Sequence, residues 1–154
     1  YLSDGATNVM PIGPHKGDQL TPEQLAENKA VVHRGWKLCY GHTMHSLQNG
    51  FYQGWDLNPA QLPMRYAAVY TFFLESYGDA AVRLRHFVEN AAQATLSGDI
   101  FDDAATGQGL LNYFLRAMNS GAIDEGETAV TGLSLEEIRS RSFYRILQGR
   151  RNRG

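Results

Sequence analysis

Three helix-start signals constrain the fold of this chain more than any other feature of its sequence. The segments "TPEQ" at 21–24 and "NPAQ" at 58–61 each place a capping residue before proline, with glutamine at the third helical position. The segment "SLEE" at 134–137 uses serine and glutamate in the same two roles. In such a box the cap side chain and the third helical side chain each accept a hydrogen bond from the other residue's backbone N–H. The pattern therefore predicts a mostly helical chain.

The spacing of apolar residues and of glycines predicts where these helices run. Leucine, valine and aromatic residues recur every three or four positions after each start signal, and Asn49-Gly50 supplies a stop for the first helix. Gly78-Asp79 is predicted to break the second helix. Helices are thus expected at 22–48, 59–77, 80–96, 110–119 and from 134 through 146, with a helical turn near 125.

Two short apolar stretches predict strands, in parts of 7–12 and 50–57. The second, "GFYQGWDL", is rich in aromatic residues and too short for a helix between its glycine and the following proline. Two strands joined by a long crossover helix would lie parallel, and parallel strands are normally buried in larger sheets. We therefore expect the closing end of a (β/α)8 TIM-type barrel, with its last strand-helix-strand-helix units at 1–78 and a C-terminal helical extension at 79–154.

Composition and charge narrow the classes of function. A formal net charge of −2 with interspersed acids and bases gives no reason to expect a nucleic-acid partner. The single cysteine, Cys39, excludes an internal disulfide and fits a reducing compartment. Because the sequence has neither a signal-peptide pattern nor an apolar run near the roughly 20 residues that span a bilayer, we expect a cytoplasmic protein without a membrane partner.

The stretch "GFYQGWDLNPAQL" at 50–62 resembles the final strand and turn of the HpcH/HpaI aldolase and citrate lyase β-subunit-like family. That family ends the strand in a His-Pro-x-Gln corner, and here Asn58 takes the place of the histidine. "LSDGATNVMPIG" and "SGDIFDDAATGQGLLNYFLRAMNSGAI" also look like the C-terminal part of an aldolase-like branch. The resemblance implies a barrel enzyme that makes or breaks carbon–carbon bonds in oxo-acids or acyl-CoA esters through a metal-stabilised enolate.

The resemblance also implies partners and a cofactor. The family's ligands for a divalent metal, Mg²⁺ or Mn²⁺, and its substrate-binding arginine sit on earlier strands, so they would lie outside these 154 residues. The chain begins at Tyr1 without a preceding cap or turn, as a piece of a longer protein would. We therefore expect an inactive fragment that packs on upstream polypeptide, in a homo-oligomer that acts on a small-molecule substrate.

The corner itself supplies the first candidate site. Trp55, Asp56 and Asn58 would lie at the mouth of the last strand, where barrel enzymes bind their substrates, and are predicted to bind substrate. The alternative is structural: Asp56 fixes the turn and Trp55 packs against a helix.

The segment "GDIFDD" supplies the second candidate site. Related lyases carry an aspartate after the barrel that reaches a neighbouring subunit's active site, and the nearest counterparts are Asp99, Asp102 and Asp103. Asp102 and Asp103 are the predicted acid-base catalysts, because adjacent carboxylates repel and can raise one pKa toward neutrality. The alternative is that these aspartates cap the following helix.

Two further hypotheses stay open on the sequence. Cys39, His42 and His45 are spaced by three and could hold zinc, or they could be polar residues on a packed helix. The runner-up function is a non-catalytic helical interaction or oligomerisation domain. Its partner would bind an aromatic stripe formed by Tyr66, Tyr70, Phe73 and Tyr77.

Overall fold

The computed structural model of the protein describes residues 3–97 and 104–152, and these residues are predominantly helical. Five α-helices lie within those ranges: α1 (Pro22–Gln48), α2 (Leu62–Ser97), α3 (Ala104–Ser120), α4 (Leu135–Arg139) and α5 (Phe143–Arg151). Two 3₁₀ turns, Pro59–Gln61 and Gly126–Thr131, lie between them. No helix in these ranges is both long enough and apolar enough to cross a membrane.

The helix starts lie where the capping boxes predict them. Thr21 and Ser134 each accept a hydrogen bond from the third helical N–H, and Gln24 and Glu137 accept from the cap N–H in return. Asn58 caps the 3₁₀ turn Pro59–Gln61, which leads directly into α2. The predicted bounds of the first helix are confirmed.

The predicted strands and the TIM-type barrel are wrong. Across 3–97 and 104–152 the extended segments form a single parallel bridge between Ser3 and Gln53, and the fold is a helical domain rather than the end of a barrel. The reason lies at the end of the second segment, where two backbone groups bond to side chains instead of to a neighbouring strand. The Trp55 carbonyl accepts from Arg65 and the Leu57 N–H donates to Gln61. These backbone groups are occupied and cannot pair with a strand.

The predicted break at Gly78-Asp79 is also wrong, because α2 continues through both residues. A glycine inside a helix costs only about 1 kcal/mol relative to alanine. Burial on one face of the helix outweighs this cost, and the buried side chains after the glycine include those of Ala80, Ala81, Leu84 and Val88.

The last predicted helix is instead divided into two. α4 ends at Arg139, Arg141 has a positive φ of 56°, and Ser142 caps α5 as a new start. A residue whose backbone is in the left-handed conformation cannot continue a right-handed helix, so the chain turns at Arg141.

The chain forms two compact units, Tyr1–Phe72 and Phe73–Gly154. In the first unit, α1 buries Cys39, Thr43 and Leu47, and the corner after it buries Gln61. The core of the second unit is made by the part of α2 after Phe72 together with α3, α4 and α5. Its largest fully buried side chains in α3, α4 and α5 are Phe114, Phe143, Leu111, Ile138 and Ile146.

Candidate functional site

A buried glutamine holds together the corner that connects α1 to α2. The Gln61 side chain is fully buried, and its Nε2 donates to the carbonyl of Thr7 at 2.8 Å. Its Oε1 accepts from the N–H groups of Leu57 at 2.8 Å and Asn58 at 3.3 Å. The Trp36 indole on α1 donates to the Ala60 carbonyl at 2.9 Å. These bonds join the corner both to α1 and to the N-terminal segment.

Asp56 and Arg65 form an ion pair within this corner. Arg65 Nε lies 2.5 Å from Asp56 Oδ2, and Arg65 Nη2 donates to the Trp55 carbonyl at 2.8 Å. The other carboxylate oxygen, Asp56 Oδ1, is buried and has no hydrogen-bond partner among residues 3–97 and 104–152. A buried polar atom without a partner costs about 1–3 kcal/mol, so this oxygen is a functional candidate.

A cleft of about 310 Å³ lies beside the ion pair in the first unit. Arg65 is the charged residue of its wall, and Gly54 allows the guanidinium to approach the backbone. A Cβ atom at Gly54 would lie 2.6 Å from Arg65 Nη1. The wall also includes Thr43, Ser46, Leu47, Phe51, Tyr52, Gln53 and Val69.

The structure places all three residues predicted to bind substrate at this corner, in different roles. Asp56 is paired with Arg65. The Asn58 Oδ1 accepts from the Ala60 N–H at 2.9 Å, so this side chain caps the 3₁₀ turn. Trp55 is 61% exposed, and its indole N–H donates to Ser3 Oγ at 2.7 Å. Asp56 is thus the one of the three whose charged group adjoins the cleft's arginine.

A second polar cluster involves the end of α1. The Ser46 hydroxyl and the Gly5 N–H both donate to the Asp4 carboxylate, and together they lower the pKa of Asp4. Thr7 Oγ1 lies 2.9 Å from His42 Nδ1. This cluster joins the N-terminal segment to the same face of α1 that borders the cleft.

The described residues do not fit a metal site. Residues 3–97 and 104–152 contain no group of three His, Cys, Asp or Glu side chains placed to hold an ion, and this includes Cys39, His42 and His45. The Cys39 thiol is buried, and its pKa is raised by burial and by the charge of Asp56. The predicted catalysts Asp102 and Asp103, and Asp99 with them, lie outside the described residues.

The aromatic stripe of the runner-up hypothesis is divided between surface and core. Tyr66 is 52% exposed and packs edge-to-face on Tyr70, with ring centroids 5.9 Å apart. Phe73 is buried against Tyr113. The Tyr77 hydroxyl donates to the Glu127 carbonyl. Tyr66 is therefore the exposed member of the stripe, Tyr70 is half-buried, and Phe73 and Tyr77 take part in the packing of the second unit.

Sequence reasoning missed Arg65 and Ser46. Arg65 lies nine positions after Asp56, and Ser46 lies 42 positions after Asp4, so neither pair forms a local motif. The sequence feature that could have predicted the site is Gly54, because a glycine inside an aromatic-rich segment indicates that another group approaches the backbone closely.

The fold and the cleft define a helical protein with a largely apolar cleft that one arginine, Arg65, borders. A family model described as "Domain of unknown function (DUF6986)" matches residues 1–146, and the chain belongs to this family. No curated protein and no solved structure matches the chain.

Proposed function

We propose that this chain supplies part of the substrate-binding wall of an aldolase-like carbon–carbon lyase that acts on oxo-acid or acyl-CoA-type substrates. The observation that carries the proposal is the Asp56–Arg65 pair, which lies beside a cleft and inside the corner that resembles the lyase family. Substrates of this class are anions. An arginine with a fixed orientation is the residue type best suited to bind them.

The chemistry of such a lyase divides the tasks between residues. Cleavage of a carbon–carbon bond leaves its electron pair on one fragment as an enolate, while the other fragment departs as a carbonyl compound. The described residues of this chain orient the substrate and do not hold a metal, so the Mg²⁺ or Mn²⁺ of the proposal would be bound elsewhere. Asp102 or Asp103 would take the hydroxyl proton that is lost as the carbonyl compound forms, and would return a proton to the enolate carbon.

The proposal is tested on the protein as it is encoded. It is incubated with 2-oxo-acids, hydroxy-acids and acyl-CoA thioesters in the presence of Mg²⁺ or Mn²⁺, and products are followed by NMR. We expect turnover of at least one of these classes. Asp102→Asn or Asp103→Asn is expected to lower kcat by about 10²- to 10⁴-fold. Absence of turnover across all three substrate classes contradicts the proposal.

Asp56→Asn tests the corner in the same assay. Because Asp56 orients Arg65, we expect kcat/KM to fall about 10- to 100-fold, mainly through a higher KM. The matched control is Asp18→Asn, which removes the same charge from an exposed loop residue and should leave both constants unchanged. Equal effects of the two variants would count against a role of the corner in substrate binding.

A second candidate function is a non-catalytic helical interaction or oligomerisation domain. It is favoured by large apolar side chains that are exposed in one short segment, namely Tyr52, Trp55, Leu57, Leu62 and Tyr66. Exposed apolar groups of this size mark protein interfaces when they form a contiguous patch. Because both candidates allow self-association, the turnover assay separates them, and the second candidate predicts no turnover. Under the second candidate, Trp55→Ser and Tyr66→Ser should abolish the self-association that sedimentation velocity measures. Under either candidate function, we propose that the protein is located in the cytoplasm.

A further inference from the structure

We infer that the free end of the Arg65 guanidinium binds the carboxylate group of a small oxo-acid or hydroxy-acid held in the adjoining cleft. The inference rests on the proposed function, because it names the substrate class of the same site. It assigns to Arg65 a role as substrate-binding residue and to Asp56 a role in positioning that arginine.

The hydrogen bonds of Arg65 leave one edge of its guanidinium available. A guanidinium has five N–H donors. Two of them are used, Nε–H by Asp56 and one Nη2–H by the Trp55 carbonyl. The remaining N–H groups, on Nη1 and Nη2, have no acceptor within 3–97 and 104–152. A pair of parallel N–H groups on neighbouring nitrogens is the fork that binds a carboxylate through both oxygens.

The cleft fits the rest of such a ligand. Its volume of about 310 Å³ accommodates a small acid. Leu47, Phe51 and Val69 contribute apolar wall for a short carbon chain. The Ser46 hydroxyl hydrogen is engaged by Asp4 or by the His42 carbonyl, so its oxygen is left to accept a bond from a ligand hydroxyl.

The charge of Asp56 favours a carboxylate over a phosphate. Asp56 neutralises Arg65, so binding depends on the directed fork rather than on an excess of positive charge. A dianionic phosphate would be repelled by the Asp56 carboxylate more strongly than a monoanionic carboxylate. The position of Gly54 supports the same geometry, because any larger residue would displace Nη1.

The test is a ¹H–¹⁵N NMR titration of the whole protein with pyruvate, and in parallel with inorganic phosphate. We expect pyruvate to shift the Arg65 Nε–H and Gly54 N–H signals saturably, with phosphate at least 10-fold weaker. Arg65→Gln should abolish the pyruvate response. Arg65→Lys keeps the charge but lacks the fork, and should weaken binding about 10-fold.

Two glycine variants keep the test decisive if replacing Arg65 unfolds the protein. Gly54→Ala forces Nη1 to move and should weaken pyruvate binding about 10-fold. The control is Gly41→Ala, since a Cβ there would meet open space and binding should be unchanged.

The inference is overturned by equal or tighter phosphate binding, by unaltered pyruvate binding in Gly54→Ala or Arg65→Lys, or by no saturable shift. None of these outcomes depends on turnover. Lyase activity without pyruvate binding at Arg65 would therefore contradict the inference but not the proposed function.

Discussion

At the scale of single residues, Gln61 does more for the corner than its place in a capping pattern predicts. The sequence assigns it one local bond, to the cap N–H. The structure adds a second acceptor bond from Leu57 and a donor bond to Thr7, a residue 54 positions away. Long-range partners of this kind depend on how the elements meet, so a pattern of neighbouring residues cannot reveal them. The pairing of Asp56 with Arg65 escaped prediction for the same reason.

Replacing Gln61 with leucine should destabilise the first unit strongly. Leucine is similar in size but leaves the buried Thr7 carbonyl and the part-buried Leu57 N–H without their partner. We expect the free energy of unfolding to fall by about 2–4 kcal/mol. Urea denaturation followed by tryptophan fluorescence measures this, because Trp36 donates to the neighbouring Ala60 carbonyl.

The control for this prediction is Gln19→Leu, which makes the same change at an exposed loop position and should cost less than about 0.5 kcal/mol. A loss of equal size in both variants would show that the buried bonds of Gln61 do not stabilise the corner.

At the scale of elements, the sequence predicts where helices begin better than it predicts strands or helix ends. A capping box is complete within four residues, so the starts at Thr21 and Ser134 depend on nothing distant. A strand needs a partner along its length, and in the segment 50–57 the backbone groups of Trp55 and Leu57 bond to side chains instead. The helix α2 passes Gly78 because burial outweighs helix propensity, and burial is a property of the assembled unit.

Two glycines of α3 illustrate how packing decides the effect of the same substitution. A Cβ atom at Gly107 would lie 2.4 Å from the ring of Phe143, whereas a Cβ at Gly109 would meet open space. Gly107→Ala should therefore destabilise the protein by about 1–3 kcal/mol through overpacking. Gly109→Ala should stabilise it by about 0.5–1 kcal/mol, because alanine favours the helix.

Thermal unfolding followed by circular dichroism compares the two variants with the unmodified protein. The packing of α3 on α5 is contradicted if Gly107→Ala raises the melting temperature as Gly109→Ala does.

At the scale of the whole molecule, the shifted ionisable groups set a pH range of greatest stability. Hydrogen bonds lower the pKa of Asp4, mainly from Ser46, and that of Glu137, mainly from Arg150. Burial raises the pKa of Cys39 and of Tyr77. The carboxyl groups therefore favour the folded state where they are charged, and the thiol and the phenol favour it where they are neutral.

The sign of each shift predicts a stability plateau with losses at both ends. A lowered carboxyl pKa contributes stability that is complete above the ordinary value, 4.5 for Glu137, and is lost as the pH falls through the folded-state pKa. A raised pKa contributes stability that is complete below the ordinary value, 9.0 for Cys39, and is lost as the pH rises beyond it. Urea denaturation at a series of pH values should thus give a free energy of unfolding that is highest between about 5 and 8.5.

Glu137→Gln tests the acid side of this plateau. Glutamine still offers an oxygen to the Ser134 N–H, so the capping box survives while the ion pair with Arg150 is lost. The variant should be less stable at neutral pH and should lose less stability on acidification than the unmodified protein does, because its side chain no longer binds a proton on unfolding. Glu136→Gln, at the exposed neighbouring position, is the control and should keep the original slope. If the two variants show the same slope below pH 4.5, the Glu137–Arg150 pair does not account for the acid sensitivity.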